Sequence, residues 1–364
     1  MYTSVYMRMP VVESRVSGVD QTQLLRREER ERRPPDAAIA IAAAVFACSP
    51  VTVIAQPAAA GTADSYPVKP VRVIVGLAPG GGTDIFARMF AQKLSANLGR
   101  SFVVENRPGA GGTIAYATVA RSPADGYTLL AVASGYAITP AFYRTLAYDP
   151  IADFAPVSLV TEAPILLMVH PSLPVKTTRE LVDLAKRKPG SLDAASAGMG
   201  TSNHLALELF NSLAGVKIAH IPYKGTGPAL VDFMAGQVQV IFGNIVSSLP
   251  YVKAGRARAL AVTGPQRSPV MPDVPTVAES GVPGYVTTTW HGWLAPAGTP
   301  AAIVNKVSVE LARALKAPDI QAQLMSDGAE AVGSTPGQFH RHLVAEIARW
   351  NKVVKNTGLN LGRE

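Results

Sequence analysis

The sequence predicts an α/β fold of two lobes joined by a hinge of two crossing strands, and three observations carry that expectation. Apolar, strand-like runs alternate with helical patterns at 71–78, 102–106, 127–134, 165–170, 192–197, 218–223, 238–244 and 259–264, the signature of parallel βα units. Two extended stretches, Phe154 to His170 and Thr287 to Gly298, break the alternation with no helix close beside them, so they read as crossings between lobes. The 304 residues beyond position 60 are enough for two cores, with one large domain as the alternative. Lobe 1 is expected to comprise 64–160 with 290–364, and lobe 2 the insertion 161–289, with a cleft at the carboxyl ends of the strands on both sides.

Residues 1–60 read as an export signal with an N-terminal extension and are set apart from the fold. A charged stretch from Arg26 to Arg33 precedes the apolar run Ala37 to Ala47, and small residues follow, with cleavage expected between Ala55 and Gly61. The apolar run is short for a membrane span and is interrupted by Cys48, Ser49 and Pro50. Phe46 does not suit a lipoprotein cleavage site, so lipid anchoring at Cys48 is not favoured. Removal of the signal leaves a chain without a thiol, which excludes disulfides, cysteine nucleophiles and thiolate metal sites.

The first element of the fold is the run VRVIVGLAPGGGTD, Val71 to Asp84, a buried-type strand that breaks into Pro and Gly and opens directly into a helix. Glycines allow successive N–H groups to turn toward one point, and the helix adds its unpaired donors and positive dipole end. A phosphate-binding P-loop would need a lysine where Gly82 stands. The loop therefore suits a carboxylate or similar small anion held by backbone donors. In the helix that follows, Ile85, Phe86, Met89, Phe90, Leu94 and Leu98 form one apolar stripe, and Gly99 stands at the C′ position. Thr177 with Glu180 and Thr335 with Gln338 read as capping boxes, and Thr299 as a cap before Pro300 at a first helical position.

A second strand-loop-helix unit, Leu192 to Phe210, repeats the same chemistry. Gly198 and Gly200 permit close backbone approach, while Thr201, Ser202 and Asn203 supply hydroxyl and amide groups near a helix start. Two such loops, one from each lobe, would grip one carboxylate from opposite sides, although ordinary βα turns use the same residues. The third unit, Ile218 to Asn244, sets Tyr223, Lys224 and Gly225 at one strand end and Gly243 and Asn244 at another, with Lys224 read as a solvated surface residue.

Charge and motif content narrow the classes further. Beyond position 60 there are 27 Lys and Arg against 20 Asp and Glu, a surplus without basic clusters or interleaved aromatics, which argues against a nucleic-acid partner. The chain has no G-x-S-x-G and no H-E-x-x-H. Its six histidines are scattered; His340 and His342, two apart on a helix, do not share a face, and His170, His220 and His291 read as structural. No catalytic residue, metal or cofactor is expected. An enzyme on the same scaffold is the rival reading, and a sensor that presents its closed lobes to a signalling receptor is another.

A set of motifs in order then carries a resemblance: YPVKPVRVIV (Tyr66 to Val75), PGGGTD (Pro79 to Asp84), VVENRPGAGG (Val103 to Gly112), PADGYTLL (Pro123 to Leu130), YDPIADFAPVSLV (Tyr148 to Val160), GTSNHLALELF (Gly200 to Phe210), PYKGTGPAL (Pro222 to Leu230), MPDVPTVAES (Met271 to Ser280) and LAPAGTP (Leu294 to Pro300). Over nearly all of 66–358 the chain resembles the substrate-binding proteins of the tripartite tricarboxylate transporter family, the Bug family of periplasmic receptors. That resemblance implies a type II periplasmic-binding-protein (Venus-flytrap) architecture, a small carboxylate ligand, delivery to membrane transporter subunits, and a monomer. It also implies a site with Gly80, Gly81 and Thr83 on one jaw beside a structural Asp84. Ser196, Gly198, Thr201 and Ser202 form the other jaw, and Ser134, Gly135 and Tyr223 the wall. Where family members often carry an aspartate before the asparagine of the third unit, this chain has Gly243 before Asn244, which implies a pocket without a carboxylate for a ligand ammonium.

Overall fold

A computed structural model describes residues 65–143 and 145–357, so the stretch read above as an export signal, with Cys48, lies outside the described residues. Strand β1 (Val71–Val75) leads into helix α1 (Gly82–Leu98), β2 (Phe102–Asn106) into α2 (Thr113–Ala120), and β3 (Thr128–Ala133) into the short α3 (Gly135–Ile138). The long β4 (Phe154–Val169) is followed by α4 (Thr178–Arg187), β5 (Asp193–Ser196), α5 (Ser202–Ala214), β6 (Ala219–Pro222), α6 (Thr226–Met234), β7 (Val240–Asn244), α7 (Ile245–Lys253) and β8 (Arg258–Val262). The chain returns through β9 (Thr288–Pro296) and ends with α8 (Ala301–Leu315), α9 (Pro318–Ser326), β10 (Glu330–Ala331) and α10 (Pro336–Thr357).

One curled sheet runs in the order β2-β1-β3-β9-β4-β7-β5-β6, with β8 and β10 also on β4. The expectation of parallel βα units holds at both ends of this order: β1 pairs in parallel with β2 and β3, and β5 with β6 and β7. The middle is different. β4 and β9 are antiparallel to each other, β9 is antiparallel to β3, and β4 is antiparallel to β7, β8 and β10. A parallel pair needs a crossover helix, and neither long strand has one beside it. The run at 165–170 is consequently not a separate strand but the second half of β4, which pairs with β9 over Phe154–Pro164 and with β7 over Ile165–Val169.

Local signals explain the elements. Phe86, Phe90 and Leu94 of α1 are buried, Ile85, Met89 and Leu98 pack half-buried against the same core, and Gly99 closes the helix at φ 67° with its N–H on Ser95 O. Gln338 N donates to Thr335 Oγ1 at 3.3 Å while Gln338 Oε1 accepts from Thr335 N at 2.8 Å, a reciprocal capping box. At the other predicted box Glu180 N donates to Thr177 Oγ1, but the Glu180 carboxylate reaches one residue further back, to Lys176 N. The start of α8 falls one residue later than expected, because Pro300 holds extended backbone at ψ 131° and Thr299 Oγ1 donates back to Pro296 O.

The core is continuous across the long strands: α1, β1 and α8 pack into a cluster that continues through Val157, Val160 and Leu166 of β4 to Phe233 of α6 and Ile245 of α7. Contact across β9 is just as close. A Cβ at Gly292 would lie 2.8 Å from Cε1 of Phe339, a fully buried ring on α10. The Gly292→Ala variant is therefore expected to lose about 1–3 kcal/mol of stability through overpacking. Chemical denaturation reads this directly, and an unchanged midpoint would show that α10 shifts freely on the sheet.

Candidate functional site

The strands of the two parallel arms end facing each other, and their following loops enclose a small cavity. Its lining includes Ala78, Gly81, Gly82, Thr83 and Asp84 after β1, Gly111 and Tyr116 after β2, and Gly135 after β3. The opposing wall is Thr201, Ser202 and Asn203 after β5, Thr226 after β6, and Asn244 at the end of β7. The volume is about 20 Å³, room for about one water.

Four helices of nine or more residues begin on this wall: α1, α5, α6 and α7. Intrahelical bonding starts only at Ile85, Leu205 and Ala229 in the first three, so N–H groups such as those of Gly82, Thr83, Ser202, Asn203 and Thr226 have no acceptor within their helix. The caps of α1, α6 and α7, which are Gly81, Gly225 and Asn244, make no side-chain cap bond; only at α5 does the Thr201 side chain accept, from His204 N. Positive dipole ends and unpaired donors therefore gather on this lining from both sides, an arrangement that favours negative charge.

The carboxylate in that lining, Asp84, is turned to internal use. Its Oδ2 accepts from Gly80 N at 3.0 Å, and its Oδ1 accepts from Arg88 Nε at 3.0 Å and Asn106 Nδ2 at 2.9 Å. Burial raises its pKa, but the bonds from Arg88, Gly80 and Asn106 and the charge of Arg88 outweigh burial and hold the carboxyl below the usual range. Asp84 thus fixes the glycine loop.

The jaws touch through backbone. Ala78 N donates to Lys224 O at 2.8 Å. Gly227 lies so close to Pro79 O, and Gly111 to Met199 O, that a Cβ at either would collide with the opposing main chain. At the floor, Thr289 of β9 stands 3.2 Å from Ser134 Oγ and accepts from Ser202 Oγ at 3.3 Å.

Of the residues expected at the site, Gly81, Thr83, Gly135, Thr201, Ser202 and Asn244 line the cavity. Gly80, Ser134, Ser196, Gly198, Tyr223 and Gly243 are not part of that lining. The Gly80 amide serves Asp84, Ser196 Oγ lies 2.6 Å from His220 Nε2 and accepts from Gly198 N, and Tyr223 donates to Asp232 Oδ2 at 2.8 Å. Gly243 faces Ser248 and Met168 Cε, so a side chain there would point into packing and not into the cavity. Gly111, Tyr116 and Thr226 were not anticipated. For Thr226 a signal existed in the Gly225-Thr226-Gly227 run after a strand; for Tyr116, in the middle of a helix, none did.

Behind the second jaw two histidine rings stack, His204 on His220, with centroids 3.9 Å apart. Gly200 N donates to His204 Nδ1 at 3.2 Å, so this ring braces the loop as a neutral acceptor. Burial lowers the pKa of His204 to about 3 and of His220 to about 4, with His220 adding to the shift of His204; His291 on β9 is also lowered by burial to about 3. Since the folded values lie below the ordinary 6.5, the unfolded chain takes up protons first, and stability falls as pH drops from 6.5 toward 4. Each buried histidine contributes up to about 1.4 kcal/mol per pH unit in that window. Melting temperatures are expected to decline from near pH 6.5, above the range where Asp84 protonates, and constant melting between pH 7 and 5 would contradict this.

The sequence profile described as tripartite tricarboxylate transporter family receptor matches residues 86–359. The chain is 38% identical over 306 residues to Protein BugT of Bordetella pertussis, covering 84% of this chain and 94% of that protein. Among solved structures, it superposes on R. palustris Rpa4515 with adipate at a TM-score of 0.78 and 41% identity, covering 80% of this chain and 98% of that one. MatC from Rhodopseudomonas palustris with bound malate superposes at a TM-score of 0.77 and 36% identity, covering 79% and 100%. With its helix starts gathered at the strand ends and this likeness along most of its length, the chain belongs to the tripartite tricarboxylate transporter receptor family.

Proposed function

We propose that this chain is a periplasmic receptor that captures one small organic carboxylate between its jaws and delivers it to the membrane subunits of a tripartite transporter. The observation that carries this reading is the convergence of four helix N-termini on a cavity whose lining carboxylate, Asp84, is already occupied by internal donors. The N–H groups of Gly82, Thr83, Ser202, Asn203 and Thr226 act as the main carboxylate donors, and Ser134, Ser196, Gly198 and Tyr223 hold the loops that present them. The relatives solved with adipate and with malate support a di-acid.

A cavity of about 20 Å³ admits water but not a di-acid, so entry requires the jaws to part. The hinge is β4 with β9, between a lobe of 64–160 with 290–364 and a lobe of 161–289, which joins the parallel arms at strands common to both. Titration calorimetry of the mature chain against adipate, malate, succinate and citrate tests the reading. One-to-one binding of at least one acid with a smaller radius of gyration in solution scattering is expected. Absence of binding overturns the receptor reading, and binding at constant radius overturns closure.

Gly227→Ala separates closure from folding. Gly227 has an ordinary helical φ, so alanine costs the free chain nothing and favours α6, yet its Cβ meets Pro79 O of the other jaw. Affinity is expected to fall about tenfold or more, ~1.4 kcal/mol, with no loss of melting temperature in ligand-free protein. Wild-type affinity in this variant would show that the jaws close in another register.

A further inference from the structure

We infer that Asn244 is a specificity-determining residue, fixed by Asn203 so that it presents only a hydrogen-bond donor to the cavity, and that the receptor therefore selects organic acids lacking an ammonium group over amino acids. This rests on the carboxylate-receptor reading and names the substrate class for the same site.

The orientation follows from a chain of obligate partners. The Phe242 carbonyl can only accept, and it lies 2.6 Å from the Asn203 side chain, which identifies that atom as Nδ2. The same Nδ2 stands 3.1 Å from the Asn244 side chain and must donate there, so the Asn244 atom is Oδ1. Thr226 Oγ1 supplies a second donor to the same oxygen at 3.4 Å. With Oδ1 engaged on both sides, the amide nitrogen is left to the cavity. It faces Gly82, where a Cβ would stand 2.9 Å from it, and it donates to no group among the described residues.

An ammonium in this cavity would meet the Asn244 donor and the positive ends of four helices. The carboxylate that could neutralise it, Asp84, is taken by Gly80, Arg88 and Asn106. Only neutral groups remain as acceptors, and an enclosed cation without a counter-charge is strongly disfavoured. An acidic residue at 243 would not change this, because Gly243 faces Ser248 and Met168.

Asn244→Asp tests the inference with little disturbance, since one aspartate oxygen can still accept from Asn203 and Thr226 while the other replaces the donor. Binding constants are measured for matched pairs: succinate and L-aspartate, adipate and L-2-aminoadipate. Wild type is expected to bind the plain acids more tightly, and Asn244→Asp to shift the ratio toward the amino acids by about tenfold or more. Asn203→Ala, which frees the Asn244 amide to turn, is expected to narrow the ratio while Asn244 stays in place, and it carries the test if the aspartate variant does not fold. Equal or tighter binding of the amino acids by wild type overturns the inference, as does an unchanged ratio in folded variants. Failure of every acid in both series to bind wild type instead overturns the receptor reading beneath it.

Discussion

The backbone N–H groups in the first turn of a helix have no partner within the helix, and in this protein four such turns are brought to one place. Everything else about the site depends on how the sheet achieves that. A parallel βα arm directs its helix starts to the carboxyl edge of its own sheet. Two arms would ordinarily point their edges apart or side by side. Here β4 and β9 run antiparallel through the middle of the sheet, and one arm joins β9 through β3 while the other joins the second half of the 16-residue β4 through β7. The carboxyl edges consequently face one another, and donors that water would otherwise satisfy are turned inward from both sides.

A site made of main-chain donors has two requirements that side-chain sites lack. The opposing backbones must approach within contact distance, and at Gly111 and Gly227 they do so only because there is no Cβ. Nearby side-chain charge must also be neutralised so that dipoles decide the field. Asp84 is neutralised by Arg88 and by hydrogen bonds, and His204 and His220 remain uncharged because they are buried against each other. Neither device titrates near neutral pH, so the donor geometry is constant there.

Much of this was legible in the sequence because it is local. The β1 loop and α1, with its Phe86, Phe90 and Leu94 stripe ending at Gly99, follow from spacing and turn chemistry alone, as does the reciprocal cap of Thr335 with Gln338. The long runs at 154–170 and 287–298 were recognisable as exceptional by their lack of helices. Their direction was not, since pairing between residues such as Phe154 and Pro296 depends on contacts far apart in the chain. The same limit explains Gly243. Successive strand residues face opposite sides, so whether 243 or 244 meets the cavity depends on register, and a one-residue error exchanges them. Tyr116 reaches the cavity from mid-helix, a placement that the packing of α2 on β1, β3 and β9 determines.

The division between backbone and side chain also separates affinity from selectivity. N–H groups at helix starts belong to any sequence that folds this way, so attraction for a carboxylate comes with the architecture. What distinguishes one acid from another falls to the few side chains between those donors, and among these Asn244 differs from Thr83 and Ser202. A hydroxyl can donate or accept as its ligand demands. An amide whose oxygen is already held cannot. The anchor of that amide, the Phe242 carbonyl through Asn203, lies in β7, the strand that pairs directly with the second half of β4. The polarity of the cavity at this point is therefore tied to the central strand that sets the two arms face to face.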